Sequence, residues 1–429
     1  MFLSLIIVGL VSFFGWEMIL SFYPQYQDML HKFTYNGHSY IAAFVLLSLA
    51  ICFWVYAKFT KSKLVPSHFV APVFLWFIIN LLVCIYLKGA AFFVFPTYFG
   101  VFTLMYFVFK EKSNPFVNLA FSIATLLILV PFIQLLPIGL GLKMLAGSAV
   151  LVVLTFALLL PVFGNYSKKA NWGTLLFIIS IGFFIKAHFD GKFEKGKGKP
   201  NSLLYVYDAD KEQANWATYD KVLDHWTKNY LGENPSLDNS LNQYGLSSKY
   251  NSGYSYSAIA PKKNIAKPTF TFLRDTIVGN QRAITLQIDA NKNVNRMDIF
   301  ASEKLKIHHL KANGVQNINQ EGSFFKRKKS NLLNYYPINN KPLLLSFQIH
   351  KDEKLDMAVM VSSFDLLENP QFSIPKRPDA FIPMPFVLTD AIIVKKKIYK
   401  SVPKKVQIIE NVETPIDTLI TQKDSLETN

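Results

Sequence analysis

Four stretches of this chain, residues 64–87, 89–109, 113–142 and 144–167, run for a full span of helix or more without one Asp, Glu, Lys or Arg. A hydrocarbon core of roughly 30 Å takes about 20 apolar helical residues to cross. A helix on the surface of a water-soluble domain shows a polar stripe at every turn, and these stretches do not. Seven membrane spans are predicted, at 3–21, 39–58, 69–87, 90–109, 116–136, 140–163 and 171–188. The last is the thinnest, since Lys186 interrupts it.

Charge divides the chain the same way. Lys and Arg outnumber Asp and Glu by 45 to 29, a balance that invites a nucleic-acid reading. Residues 1–188 hold 11 Lys and three acids, so much of the excess flanks spans instead of forming a basic face. The five arginines (Arg274, Arg282, Arg296, Arg327, Arg377) are scattered through the second half, which excludes a nucleic-acid partner. Lysines also orient the bundle. Lys58, Lys61, Lys63, Lys110, Lys112, Lys168 and Lys169 fall in the loops after spans two, four and six, against Lys32, Lys88 and Lys143 on the other side. The richer side is cytoplasmic, which places Met1 inside and the C-terminal half in the exoplasm or periplasm of a multi-pass inner-membrane protein. The lysines after the last span run against this, but long domains translocate largely regardless of charge.

Cys52 and Cys84 both sit in apolar runs, leaving no disulfide framework or thiolate zinc site in the second half. Polar side chains inside spans are candidates for function because lipid solvates them poorly. Glu17, Asn80 and Lys143 are those candidates, with Gln134 beside them. For Glu17 the plainer reading is a carboxylate about one turn from the interface, solvated there.

A Gly/Lys linker spans 189–200, and beyond it apolar residues alternate in twos. Residues 201–429 read as a β-rich domain: a hairpin of 202–208 and 214–219, then strands at 269–278, 282–289, 296–301, 342–350, 355–363, 386–395 and 398–409. One helix is expected at 221–231, capped by Asp220 and closed by Gly232. Residues 233–267 read as a long irregular connection. The fold class is thus a multi-span α-helical membrane bundle followed by a mostly β, sandwich-like soluble domain.

Chemistry is sparse. His188-Phe189-Asp190 is a lone His-x-Asp with no acidic pair after it, and the tandem His308-His309 would point to opposite faces of a strand. Neither makes a metal site with an open position. Lys326-Arg327-Lys328-Lys329 and Lys395-Lys396-Lys397 read as solvated turns and edge-strand gatekeepers. Phosphate loops, nucleophile elbows and Cys–His pairs do not occur, so no catalytic residue and no metal ligand is assigned.

Two stretches carry a family resemblance. One is Phe33-Thr34-Tyr35-Asn36-Gly37-His38-Ser39-Tyr40. The other runs from Tyr205-Val206-Tyr207-Asp208-Ala209-Asp210 through Ala214-Asn215-Trp216 and Asp220 to Asp224-His225-Trp226-Thr227. Together they resemble the C-terminal half of membrane-bound zinc exopeptidases of the endoplasmic-reticulum metallopeptidase and vacuolar membrane protease type, bacterial branch. The resemblance implies that Tyr35, Asn36, Gly37, His38, Asp208, Asp210, Trp216, Asp220 and Trp226 are structural signatures. It also implies that this chain is the membrane-anchoring, accessory portion of such an enzyme. Zinc would then belong to a catalytic domain that has no counterpart here, and this chain would need no cofactor. The expected partners are the lipid bilayer and a peptidase domain, separately encoded or upstream. Because that family keeps both soluble domains on one side, seven spans imply at least one more span, together with the catalytic domain, ahead of Met1. Two other readings fit the residues: a non-enzymatic membrane protein whose exoplasmic β domain binds a partner or glycan, and a small-solute transporter.

Overall fold

The computed structural model describes the chain except residues 60–65, 111–113, 165, 237–238, 243–252, 317–324, 326, 328 and 401–429. Helices come first: α1 (Phe2–Phe22), α2 (Gly37–Phe59), α3 (Ser67–Tyr86), α4 (Val94–Phe109), α5 (Pro115–Leu140), α6 (Leu145–Leu158), α7 (Leu160–Phe163) and α8 (Lys169–Phe189). Strands β1 (Lys199–Asn201), β2 (Leu204–Asp208) and β3 (Gln213–Thr218) follow, then helix α9 (His225–Leu231) and strand β4 (Tyr256–Ile259). The remaining strands are β5 (Thr269–Val278), β6 (Gln281–Asp289), β7 (Arg296–Ala301), β8 (His308–Ala312), β9 (Val315–Gln316), β10 (Asn331–Tyr335), β11 (Leu343–His350), β12 (Leu355–Ser363), β13 (Phe381–Pro383) and β14 (Ala391–Lys400). The chain divides into two units. The first is Met1–Asn201 with Arg377–Pro385, and the second is Ser202–Lys376 with the residues from Phe386 on.

In the first unit, six helices among the described residues are long and apolar enough to cross a membrane. The expected sixth span, 140–163, is different. It is a 3-10 turn, the 14-residue α6 and the one-turn α7, broken at Leu159. Two residues cause this. Gly141 takes φ +92°, which ends α5, and Pro161 removes an amide donor and disfavours helical backbone just before it. The result is a short central helix packed against α1, α2, α3 and α5, with Val152, Val153, Phe156 and Leu158 buried. The long helices instead expose large apolar side chains such as Phe74, Phe77, Phe116 and Leu127. Pro72, Pro131 and Pro137 lie inside α3 and α5 without ending them. Of the Gly/Lys stretch, Lys199 and Pro200 enter β1, which pairs in parallel with β13.

The second unit holds two sheets. Seven strands run in the order β10-β7-β12-β14-β2-β3-β4, with only β14 and β2 parallel. Five run antiparallel in the order β5-β6-β11-β8-β9. Ile284, Leu286 and Ile288 of β6 and Leu345, Phe347 and Ile349 of β11 are buried on alternate positions, as their periodicity predicts. Trp216 sits opposite Tyr205, ring edge to ring face at 5.4 Å.

Several expectations need correction. The helix starts at His225, because Asp224 accepts from the Trp226 and Thr227 amides while the Thr227 hydroxyl accepts the Asp224 amide. Asp220 instead lies buried, accepting the Ser202 amide at 2.7 Å and its hydroxyl at 2.8 Å. Within 233–267, residues Tyr256–Ile259 form strand β4 on the edge of β3. The expected strands 386–395 and 398–409 are one, Ala391–Lys400, since Phe386 and Asp390 take left-handed backbone; residues 401–409 lie outside the described ones. His309, at φ 50°, falls where β8 slips register against β11, so the His pair sits at a bulge and does not alternate. Lys395-Lys396-Lys397 lies on an interior strand, with the Lys395 and Lys396 ammoniums donating to the Leu241 and Pro268 carbonyls. Arg327 folds over the carbonyls of Ala301, Ser302 and Leu305, while Lys326 and Lys328 lie outside the described residues.

Asp298 on β7 is fully buried, held by Arg296 at 2.8 Å and by the Asn334 amide at 2.6 Å. Burial outweighs these contacts and pushes its carboxyl up to about 6. The folded state therefore binds a proton that the unfolded state has released between about pH 4 and 6, so this residue's contribution to stability falls as pH rises through that window. Asp298→Asn should remove a slope worth on the order of 2–3 kcal/mol, read from urea midpoints of Trp216 and Trp226 fluorescence at pH 4 and pH 7. An unchanged difference between the two pH values would rule this out. At Gly141 an added Cβ would lie 1.8 Å from the His31 carbonyl oxygen, whereas at Gly139 it meets nothing within 4 Å. Gly141→Ala should lower the thermal midpoint of the purified protein sharply. Gly139→Ala should leave it level or raise it, gaining up to about 1 kcal/mol of helix propensity.

Candidate functional site

Proline 24 forces Tyr23 out of helical backbone (φ −126°, ψ 65°), so α1 stops and two 3-10 turns carry the chain to α2. This connection builds the most concentrated polar structure of the first unit. The Asp28 carboxylate faces the Lys199 ammonium at 3.1 Å, with the side chains 0% and 4% exposed. Beside them the Asn36 amide donates to the Tyr26 hydroxyl at 3.0 Å and to the Ala187 carbonyl at 2.6 Å, near the end of α8. Tyr26 stacks on Tyr23 at 5.1 Å, and burial raises its phenol. The Tyr35 hydroxyl donates to the Gly198 carbonyl at 3.0 Å, and Arg377 Nε donates to Asn201 Oδ1 at 2.7 Å. Gly37 leaves room for Phe33, whose ring would lie 2.9 Å from an added Cβ and which meets the His38 ring edge-on at 5.4 Å.

These bonds join the α1–α2 connection, the end of α8 and strand β1 into one knot. Of the nine signature residues expected from the sequence, most serve turns and packing, three of them in this knot. Tyr35, Asn36 and Gly37 belong to the knot. In the second unit, Asp208 accepts the Asp210 and Lys211 amides to close the β2–β3 turn, and Asp210 accepts the Lys397 amide at 2.6 Å. Trp216 and Trp226 are buried, each against Tyr230.

The polar candidates within the apolar stretches do not converge. Glu17 lies on the exposed face of α1. Asn80 is buried, donating to the Trp76 carbonyl at 2.9 Å and to the Thr97 hydroxyl, which ties α3 to α4. Lys143 is exposed in the 3-10 turn before α6. His188 Nδ1 bonds the Tyr23 hydroxyl at 2.5 Å, while Asp190 is engaged with Lys186, whose hydrogen bond draws its carboxyl below the usual range. Among the described residues, no three His, Cys, Asp or Glu side chains gather as metal ligands would.

A cavity of about 430 Å³ opens along the bundle between α2 and α5, floored by α6 and α7. Its lining is apolar apart from His38, Gln134 and Thr155. Sequence reasoning missed this cavity, and it missed Asp28, Tyr26 and Lys199. Asp28 had a signal, being one of only three acids in the first 188 residues. Lys199 had none, since it stands in a run of Gly and Lys that reads as solvated.

Neither a family model nor a curated protein matches the chain.

Removing one member of a buried ion pair strands the other charge, while replacing both by apolar groups often costs little. Asp28→Ala and Lys199→Ala should each destabilise the first unit by about 3–5 kcal/mol. The joint change Asp28→Leu with Lys199→Met should cost less than either, measured by denaturant titration of the purified chain. A double variant as damaged as the singles would show that the charges themselves are required.

Proposed function

We propose that this chain is the membrane-embedded anchor and accessory portion of a zinc exopeptidase of the type it resembles. On this reading the six long helices cross the inner membrane, and α6 with α7 carries the chain back across between α5 and α8. The second unit is an exoplasmic β-sandwich. Peptide hydrolysis is carried out by a partner domain that holds the zinc. The observation that carries the reading is the use made of the resembling residues. Tyr35, Asn36 and Gly37 at one stretch, and Asp208, Asp210, Trp216, Asp220 and Trp226 at the other, are committed to turns, packing and a strand-to-helix knot. Residues of that kind preserve a scaffold.

Membrane insertion draws support from the large apolar side chains that the long helices leave exposed, Phe116 at 79% and Leu127 at 72% among them. The sandwich is supported by the one-sided burial of β6 and β11, and by Lys396 and Lys400 of β14, which lie over the Phe270 and Phe272 rings of β5. Transport would call for ionisable groups converging at mid-depth, whereas Glu17 faces outward from α1.

Affinity purification of the tagged chain from its native membranes should bring down an aminopeptidase activity that a zinc chelator abolishes. The same chain made alone in a foreign host should show none. Absence of activity from the native preparation would reject the accessory role, and activity from the chain alone would reject the division of labour. Orientation has its own check. Lys211→Cys, in the β2–β3 turn and in a Cys84→Ser background, should react with an impermeant thiol reagent before the inner membrane is broken. Reaction only afterwards would invert the topology.

A further inference from the structure

We propose that the cavity between α2 and α5 holds one acyl chain of a membrane phospholipid, with its ester region at His38 and Gln134; this inference rests on the membrane reading above. The volume, about 430 Å³, lies within the roughly 300–1,000 Å³ of ligand-binding pockets. Polarity is graded along it. Ile138, Leu142 and Leu145 pack beside Tyr40 and Ile41, which brings the end of α5 level with the start of α2. His38, in the first turn of α2, and Gln134, one turn in from Ile138, therefore lie at the same end. His38 and Gln134 are both exposed, able to donate to and accept from a polar head.

Deeper in, the wall is hydrocarbon: Val45 and Leu49 from α2, Leu126 and Val130 from α5, and Phe156 stacked on Phe163 below. Thr155 adds no free donor, because its hydroxyl donates to the Leu151 carbonyl at 2.7 Å. Length argues for the same occupant. From His38 to Leu49 is eleven residues of helix, about 16 Å at ~1.5 Å per residue. Half of a roughly 30 Å hydrocarbon core, the depth of one leaflet, is about 15 Å. A chain entering at the His38 end would thus run beside these residues over most of one leaflet.

The test uses the full chain in vesicles of phosphatidylethanolamine and phosphatidylglycerol carrying a trace of phospholipid with a mid-chain diazirine. After illumination, crosslinks should concentrate on the segments bearing Val45, Leu49, Leu126 and Val130, relative to Phe74 and Phe77 on the exposed face of α3. Excess unlabelled phospholipid should compete. Ala42→Trp, or Val130→Phe should the first variant not fold, fills the space and should cut cavity crosslinks by about fivefold or more, leaving α3 labelling unchanged. Equal labelling of cavity and α3, or insensitivity to both filling variants, overturns the proposal while leaving the membrane reading intact. Suppression by palmitate but not by phospholipid overturns the phospholipid assignment in favour of a free fatty acid. No labelling at either place overturns the membrane reading, and this proposal with it.

Discussion

Asp28 and Lys199 meet at 3.1 Å with side chains 0% and 4% exposed, and a buried charge of either sign is costly once its counter-charge is removed. That requirement reaches far along the chain, since one partner lies between the first two helices and the other lies beyond the eighth. Asn36 reinforces it by reaching the Ala187 carbonyl near the end of α8. The ends of α1, α2 and α8 and the start of β1 are therefore specified together. Hydrophobic packing alone would leave apolar helices free to slide against one another, because one leucine-rich face fits another in many registers. A buried charge pair and a two-way amide accept one register only.

Much of the first unit was legible because its signal is coarse. A run of 20 uncharged residues reads as a long apolar helix whatever its neighbours do. Residues 140–163 defeated that logic by having the right composition and the wrong backbone, with Gly141 and Pro161 leaving α6 too short. In the second unit, Ile284, Leu286 and Ile288 announced their strand because only one face of it is buried. Strands β4, β8, β10 and β13 gave no such sign. Tyr256–Ile259 is a strand because β3 offers it an open edge, not because of its residues. The helix cap was misplaced by four residues because Asp220 and Asp224 are chemically the same; only the reciprocal bond from Thr227 tells them apart.

The knot was half legible. Tyr35, Asn36 and Gly37 stood out through resemblance, and their neighbours in space did not, because an ion pair spanning 171 positions leaves no local pattern. The cavity was invisible for a related reason. Val45, Leu126 and Val130 are ordinary apolar residues, and space between helices is a property of how they pack.

The first unit is not continuous in sequence. Strand β13, which pairs with β1, and Arg377, which bonds Asn201, arrive only after residues 202–376 have been made. At ~5–20 residues per second, the ribosome needs roughly ten to forty seconds to travel from Asn201 to Phe381. Throughout that interval β1 has a bare edge and Asn201 lacks its arginine, while the strands of the second unit are emerging one after another. A parallel partner cannot be supplied by a tight hairpin, so the wait is inherent in the topology. The helical half is thereby completed only after the other has been synthesised, and a chain stalled anywhere in between would carry β1 without its partner strand.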